Sequence, residues 1–202
     1  MNICVIGSSD LMIDCIKILK KHNINILVVL SKRHSRTKLS NYRDYPQNIL
    51  KKLNIIYYIC DNINFNINII KKIKKFKADR AFCFGSAWIF KKRHIDCCKH
   101  LFNLHSTDLP RWRGGAPTSW RILSGINYSS VTLHKINEEI DDGDIVYSKK
   151  FIFPNECNTP AQYDKYTHKI AYEFLAEFIK DFEKNKGQLE SKPQQKEFSS
   201  YF

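Results

Sequence analysis

Apolar residues recur in two rhythms along this chain, and the alternation between them predicts its elements. Ile3 to Ile6 is near-continuously apolar and runs into Gly7-Ser8-Ser9-Asp10. Leu11, Ile13, Cys15, Ile16, Ile18 and Leu19 then recur as a helix would place them, and Ile24 to Leu30 is a second apolar run rich in β-branched residues. A short continuous run bounded by turn residues reads as a strand buried on both faces. The opening is therefore strand, turn, helix and strand, the first unit of a parallel sheet covered by helices. The pattern continues with a helix over Tyr45 to Leu53 and a third strand over Ile55 to Cys60. A lysine-rich helix follows over Phe65 to Phe76, with Ile69, Ile70, Ile73 and Phe76 facing inward, and a fourth strand covers Ala78 to Phe84. Cys98 to Leu104 is a further strand, interrupted by Lys99 and His100, and Ala116 to Leu123 a short helix ended near Gly125. Val131 to His134 and Ile145 to Phe153 alternate like an antiparallel pair. Thr159 to Lys184 is the longest helix, with Tyr163, Tyr166, Ile170, Phe174, Leu175, Phe178 and Phe182 on one packing face; Gly187 ends it and the remainder is polar. The expected fold class is α/β: a mostly parallel twisted sheet with helices on both faces.

Composition narrows this picture without redirecting it. The 202 residues fit one domain, and 43% apolar with 13% aromatic residues calls for a folded core. No apolar run approaches the length of a bilayer span and the N-terminus lacks a secretory pattern, so a cytoplasmic protein without a membrane partner is expected. Seven cysteines with no Cys-x-x-Cys pair fit reduced, partly buried thiols better than a disulfide framework. His94-x-x-Cys97-Cys98-x-His100 lacks the spacings of a tetrahedral zinc site, and no metal is expected. The first turn carries a single glycine, which removes the three-glycine dinucleotide fingerprint and most support for a nicotinamide dehydrogenase. The net charge of +13 has two readings. It calls for an anionic partner, and it follows equally from a compositional bias visible in Lys71-Lys72-Ile73-Lys74-Lys75. The basic stretch Ser31 to Arg43 lacks periodicity and sits at the carboxyl end of the second strand, where open α/β sheets bind ligands. A phosphate-binding role and a solvated loop both fit it.

The chemistry concentrates between Phe102 and Trp120. Asn103 and His105 are two apart on a strand, which puts both side chains on one face. Leu109-Pro110 ends the regular structure, and Arg111, Arg113, Gly114 and Gly115 follow. The acidic turn Glu138-Glu139-Ile140-Asp141-Asp142-Gly143-Asp144 interrupts a basic chain and could return to the same sheet edge; its plainer readings are a solvated turn or a weak calcium loop. A carboxylate beside an imidazole holds one tautomer and raises its basicity, and an amide N–H₂ can donate to an oxygen on which charge develops. Together Asn103, His105 and Asp141 suit transfer of a small acyl group from a carrier to an external amine. A structural histidine ending a strand is the plainer reading of the spacing taken alone.

Asn103-Leu-His105-Ser-Thr-Asp-Leu109-Pro110, then Arg113-Gly114 and Ala116-Pro117, then Val131-Thr132, then Ile140-Asp141-Asp-Gly143-Asp-Ile145 resemble the 10-formyltetrahydrofolate-dependent formyltransferases. In that family Asn-x-His-x-Ser-x-Leu-Pro is followed at this distance by Asp-x-Gly-x-Ile. The resemblance covers the whole chain at the level of fold and is specific over residues 103 to 145. It implies a Rossmann-like formyltransferase core over 1–185 and a polar tail over 186–202, the start of a truncated extension. It implies 10-formyltetrahydrofolate as cosubstrate and no metal. Asn103 and His105 would polarise the formyl group and stabilise the tetrahedral intermediate, and Asp141 would orient His105 and help relay a proton from the attacking amine. The pterin would lie against Ser86, Ala87, Trp88 and Ile89 and the turn Glu138, Glu139, Ile140 to Asp142, largely through backbone groups. Thr107 stands where the family usually has Ser, and Asp108 where it usually has Leu. Thr107 keeps the hydroxyl; Asp108 would tune the amine pocket by pairing with a cationic amino group, Arg111 or Arg113.

The acceptor is the harder choice. The Arg-Gly-x-x-Pro loop is similar to that of the branch formylating nucleotide-linked amino sugars and equally to the methionyl-tRNA branch, and less like the glycinamide ribonucleotide branch. The methionyl-tRNA enzymes carry a further C-terminal β-barrel domain of about a hundred residues, and nothing after Lys184 could supply one. The expectation is therefore a nucleotide-linked 4-amino-4,6-dideoxy sugar, as used in surface polysaccharide and lipopolysaccharide biosynthesis. Thr107, Arg111, Arg113 and Gly114 would contact it, the arginines meeting its diphosphate. The resemblance also implies a homodimer paired through C-terminal elements. The rival from another class is a basic nucleic-acid-binding module on a degenerate enzyme fold, binding RNA of any sequence in a salt-sensitive way. Trp112 and Trp120 do not alternate with basic residues on any strand, which counts against it.

Overall fold

A computed structural model describes residues 1–86, 88–115 and 117–201. Its strands are β1 Asn2–Gly7, β2 Asn25–Ser31, β3 Ile56–Cys60, β4 Arg80–Phe84, β5 His100–His105, β6 Tyr128–Lys135 and β7 Ile145–Ile152. They follow the hydrogen-bonded order β3-β2-β1-β4-β5-β6-β7. The pairs among β1 to β5 are parallel and β6 with β7 is antiparallel. The α/β class and mostly parallel sheet expected from the apolar runs are what the chain forms. By contacts the chain divides into two compact units, Met1–Asn103 with Ile136–Glu138, and Leu104–Lys135 with Glu139–Phe202.

In the first unit the helices are α1 Asp10–Lys21, α2 Lys32–Ser35, α3 Pro46–Lys52, α4 Ile67–Phe76 and α5 Lys92–Ile95. Ser9 caps α1 by accepting from the Met12 N–H at 3.1 Å, with Asp10 in the first turn and Lys20 and Lys21 in the last, as the helix dipole favours. Met12, Ile13, Cys15, Ile16, Ile18 and Leu19 are the buried stripe. In α4, Ile69 and Ile73 are buried while Ile70 and Phe76 are partly so, and the lysines project outward. The core joins Cys4, Ile6, Leu27, Val29, Ala81, Cys83 and Leu101 from the strands to Ile69, Ile73 and Phe90. Gly7, at φ 137°, lets β1 and β4 end in close approach, because a Cβ there would lie 2.2 Å from the Phe84 carbonyl oxygen. The stretch after β2, read from sequence as aperiodic, begins with the single turn of α2, because Ser31 accepts from the His34 N–H and supplies a cap.

The second unit holds β6, β7, α6 Pro117–Leu123 and α7 Pro160–Lys184. Thr159 and Gln162 form a reciprocal capping box at the start of α7, with Pro160 at its first position. One face of α7 buries Ile170, Phe174, Leu175, Phe178 and Phe182. Rings from β7 and the residue following it meet that face: Tyr147 lies 5.1 Å from Phe174, Phe151 5.9 Å from Tyr166 and Phe153 4.5 Å from Tyr163. Residues 188–201 belong to this unit and return to its loops. Among the described residues, no helix is long and apolar enough to cross a membrane.

Candidate active site

Four hydroxyls and a buried arginine fix the loop that leaves β5 at His105. The Ser106 carbonyl accepts from Ser129 Oγ at 3.0 Å and from Arg121 Nη2 at 3.2 Å. The Thr107 carbonyl accepts from Ser130 Oγ at 2.7 Å and Thr132 Oγ1 at 3.1 Å, and its own Oγ1 donates to the Trp112 carbonyl at 2.5 Å. Ser129, Ser130 and Thr132 are consecutive or alternating residues of β6, so one strand supplies a short ladder of donors. The N–H groups of Arg111 and Trp112 both reach the Asp108 carbonyl, closing a tight turn around the cis Leu109-Pro110 bond. That turn brings the Trp112 carbonyl to 3.2 Å from His105 Nε2.

The acidic turn supplies the other half. Its backbone is bound to the end of β6 by Lys135 N–H donating to the Asp144 carbonyl at 2.9 Å. The approach is so close that a Cβ on Gly143 would stand 1.9 Å from the Lys135 carbonyl oxygen, so only glycine fits. Asp141 takes up a left-handed conformation at φ 49°. Its carboxylate accepts from the Gly114 N–H at 3.1 Å and lies 3.4 Å from His134 Nε2 and 3.7 Å from His105 Nδ1. The last distance is an electrostatic contact, longer than a hydrogen bond. One partly buried carboxylate thus serves two imidazoles whose rings meet edge-on at 6.2 Å.

Charge follows from these placements. Burial pushes the Asp141 carboxyl up, but His134, the charge of His105 and the Gly114 N–H outweigh it and bring it to about 2. His105 moves the other way. Its two nitrogens face two acceptors, the Trp112 carbonyl and Asp141, and a neutral ring can donate to one only. Those acceptors favour the cation, yet burial dominates and holds His105 below its ordinary value, with His134 and Arg121 adding to the fall. Near neutral pH the ring is therefore uncharged, beside an ionised carboxylate, and able to take up a proton.

The structure brings together His105 and Asp141, with Asn103 two residues before His105 on β5. It gives four expected residues other partners. Thr107 is fully buried, its hydroxyl spent on the Trp112 carbonyl, and Arg113 is 3% exposed with Nη1 2.6 Å from Asp142. Asp142 also lies 3.6 Å from Lys196 Nζ. Thr107 and Arg113, expected at the substrate, and the side chain of Asp142, whose turn was expected to meet the folate through backbone groups, bind the loops to each other because burial demands that a guanidinium and a carboxylate be paired. Asp108, expected to pair with Arg111, Arg113 or an incoming amine, is buried and pairs with Lys150 of β7 at 3.3 Å. Arg111 stays exposed, 6.0 Å above the Phe198 ring, and Gly114 uses its N–H on Asp141. Glu139 and Ile140 are exposed in the turn of the second unit.

In the first unit, Ser86 Oγ accepts from the Trp88 N–H at 3.0 Å, and Trp88 Nε1 donates to the Asp61 carbonyl at 3.1 Å. Ile89 is exposed and its carbonyl accepts from Asn64 Nδ2 at 2.7 Å; Glu138 accepts from the Lys92 N–H at 3.3 Å. Ala87 lies outside the described residues. Sequence reasoning passed over His134, although its place beside Thr132 on one face of an alternating strand was a usable signal. It also passed over Gln194, whose polar tail carried none.

The formyl transferase family profile matches residues 1–179, and the chain belongs to that family. It is 27% identical over 191 residues to the methionyl-tRNA formyltransferase of Prochlorococcus marinus strain MIT 9515, covering 93% of this chain and 58% of that protein. The Fusobacterium nucleatum methionyl-tRNA formyltransferase is 30% identical over 151 residues, 74% of this chain and 48% of the relative. The chain thus spans under two thirds of the length of these relatives. Among solved structures, the Helicobacter canadensis N-formyltransferase, in complex with folinic acid and dTDP-3-aminofucose, shares the fold at TM-score 0.77 and 20% identity, over 99% of this chain and 70% of that one. Phosphoribosylglycinamide formyltransferase from Anaplasma phagocytophilum shares it at TM-score 0.75 and 15% identity, over 100% and 98%.

Proposed function

We propose that the chain transfers a formyl group from 10-formyltetrahydrofolate to a primary amine of a nucleotide-linked amino sugar. The observation that carries the reading is the approach of His105, held neutral, to an ionised Asp141 at 3.7 Å, on segments that bear the formyltransferase motif. In the reaction the amine nitrogen bonds to the formyl carbon, the carbonyl oxygen becomes an oxyanion, and the bond to folate N10 then breaks. Asn103 Nδ2 and a His105 N–H donate to that oxyanion, His105 exchanging its Trp112 carbonyl contact for the stronger charged one. The amine must lose a proton and N10 must gain one. With the His105 N–H on the oxyanion, the proton shed by the amine enters the His105–Asp141 pair and leaves it to N10 as the bond from the formyl carbon to N10 breaks. Backbone groups of Ser86, Trp88 and Ile89 and of Glu138 to Asp142 would hold the pterin. Exposed Arg111 is the cation offered to a sugar-linked diphosphate.

The sugar reading draws support from a fold shared with an N-formyltransferase seen with a nucleotide sugar. A second acceptor has support of its own: sequence relatives matched over 93% of this chain are named methionyl-tRNA formyltransferases, and a net charge of +13 suits a polyanion. One experiment separates them. Purified protein is incubated with 10-formyltetrahydrofolate and, in parallel, with several nucleotide-linked amino sugars, glycinamide ribonucleotide and methionyl-tRNA. Tetrahydrofolate release and the mass gain of the acceptor are followed. Turnover with a sugar supports the proposal, and turnover with methionyl-tRNA alone replaces the acceptor. Absence of folate turnover with all three classes removes the activity.

A further inference from the structure

One buried side chain outside the motif residues ties both loops of the site together. Gln194, 8% exposed, lies in the segment that follows α7. Its Nε2 donates to the carbonyl of Asp141 at 2.9 Å and to that of Gly143 at 2.8 Å, and its Oε1 accepts from Arg113 Nη2 at 3.0 Å. Only this orientation of the amide serves all three, because carbonyls only accept and a guanidinium only donates. The segment itself is anchored on either side. Lys192 and Ile145 exchange two backbone bonds at 2.8 and 2.9 Å, and Ser191 Oγ donates to Asp144 at 3.1 Å. Further on, Arg113 N–H donates to the Ser200 carbonyl at 3.0 Å and Ser200 N–H to the Pro110 carbonyl at 3.3 Å. What this strap holds needs holding. Asp141 sits in the left-handed region, disfavoured for a residue with a Cβ, and such a conformation persists only where its surroundings over-determine it.

We propose that Gln194 is a positioning residue for formyl transfer: its amide bridges the Arg113 loop and the Asp141–Gly143 turn and so aims the Asp141 carboxylate at His105. The direction of that carboxylate follows the backbone of Asp141, and both Gln194 donors fall on carbonyls of that short turn. Without them the turn is free to relax toward a right-handed conformation, which swings the carboxylate away from the imidazoles. For its kinetic consequence the inference rests on the formyl-transfer reading, but its structural content does not.

Two near-isosteric variants and the unmodified protein test it. Gln194→Glu keeps the shape and a partner for Arg113 but puts an oxygen where two carbonyls need donors. Gln194→Met keeps bulk and loses every hydrogen bond. Both are expected to lower kcat by about tenfold or more while KM for 10-formyltetrahydrofolate changes by less than about threefold. In Gln194→Met, an NMR titration of His105 should move to lower pH, since Asp141 is the neighbour that favours the charged ring and Arg121 and His134 oppose it. In the unmodified protein both Gln194 side-chain amide protons should exchange with water far more slowly than those of an exposed glutamine. Unchanged kcat with an unchanged His105 titration in both variants overturns the proposal. If both variants fail to fold, amide exchange decides it, fast exchange in the wild type overturning the strap. If the wild type transfers no formyl group to any acceptor, the formyl-transfer reading fails, while the titration and the exchange still judge Gln194.

Discussion

Replacing Gly143 by alanine puts the smallest side chain into the tightest contact of the site. The new Cβ would begin 1.9 Å from the Lys135 carbonyl oxygen and 2.7 Å from its carbon, and ordinary contact starts at 3.4 Å. The obstruction is backbone, so nothing can rotate aside, and the turn must back off by about 1.5 Å. One hydrogen bond spans that gap, Lys135 N–H to the Asp144 carbonyl at 2.9 Å, and a second holds the turn from the tail, Gln194 Nε2 to the Gly143 carbonyl at 2.8 Å. Each is worth about 1 kcal/mol net, and leaving the buried Gln194 donor without its acceptor adds a comparable cost, giving about 3 kcal/mol in all. The assay is urea unfolding followed by fluorescence of Trp112, which packs 5.3 Å from Tyr128 in the second unit. The midpoint should fall with an unchanged slope. Because Asp141 lies two residues before Gly143, a displacement of this size should also cut formyl transfer by about a hundredfold in the protein that remains folded. A variant with the wild-type midpoint and turnover would refute the argument that this contact sets the turn.

The remaining predictions concern charge. Asp141 has its folded value depressed from 3.8 to about 2, so its stabilisation is complete above pH 3.8 and is lost as pH falls through about 2. At pH 6 Asp141→Asn should therefore cost about 2 kcal/mol in unfolding experiments, and the gap to the wild type should close toward pH 2. A gap independent of pH would mean that shape, not charge, is what Asp141 contributes. Held neutral by desolvation, His105 adds stability present above its ordinary 6.5 and lost as pH falls through its lower folded value, so His105→Gln should flatten the wild-type decline below neutrality. Arg113→Met strips the 2.6 Å partner from Asp142 and the donor from Gln194, and should destabilise the second unit by about 3 kcal/mol. Arg113→Lys should rescue little of that, since one ammonium cannot reproduce the forked contact; full rescue by lysine would contradict it.

The fold was legible because buried parallel strands announce themselves. Ile3 to Ile6, Ile24 to Leu30 and Ala78 to Phe84 need no alternation to be read, being covered on both faces. The long α7 was legible from its aromatic stripe, while the Thr159–Gln162 capping box at its start was seen only in the structure. Site residues close to one another in sequence were also within reach: Asn103 and His105 share a strand face, and Asp141 sits in a turn whose sequence fits the family. What escaped depends on contacts between distant loops. Arg113 reads as a free cation until Asp142 and Gln194 are seen beside it, and the same hiding of charge applies to Asp108 with Lys150. Gln194 bonds to backbone carbonyls, which exist at every position and leave no pattern to find. For His134 the strand gave a signal, a polar residue on the same face as Thr132, but its part in the site shows only with Asp141 3.4 Å away.

The central proposal is that His105 and Asp141 let this chain move a formyl group from 10-formyltetrahydrofolate to an amine. Its most direct measurement is single-turnover transfer of labelled formyl from 10-formyltetrahydrofolate to the acceptor found by screening, in wild type, His105→Ala and Asp141→Asn. Product should form with the wild type, and both variants should slow the transfer step by about a hundredfold or more while still binding the folate. Wild-type transfer rates in either variant, or no labelled product with any acceptor class, would contradict the account.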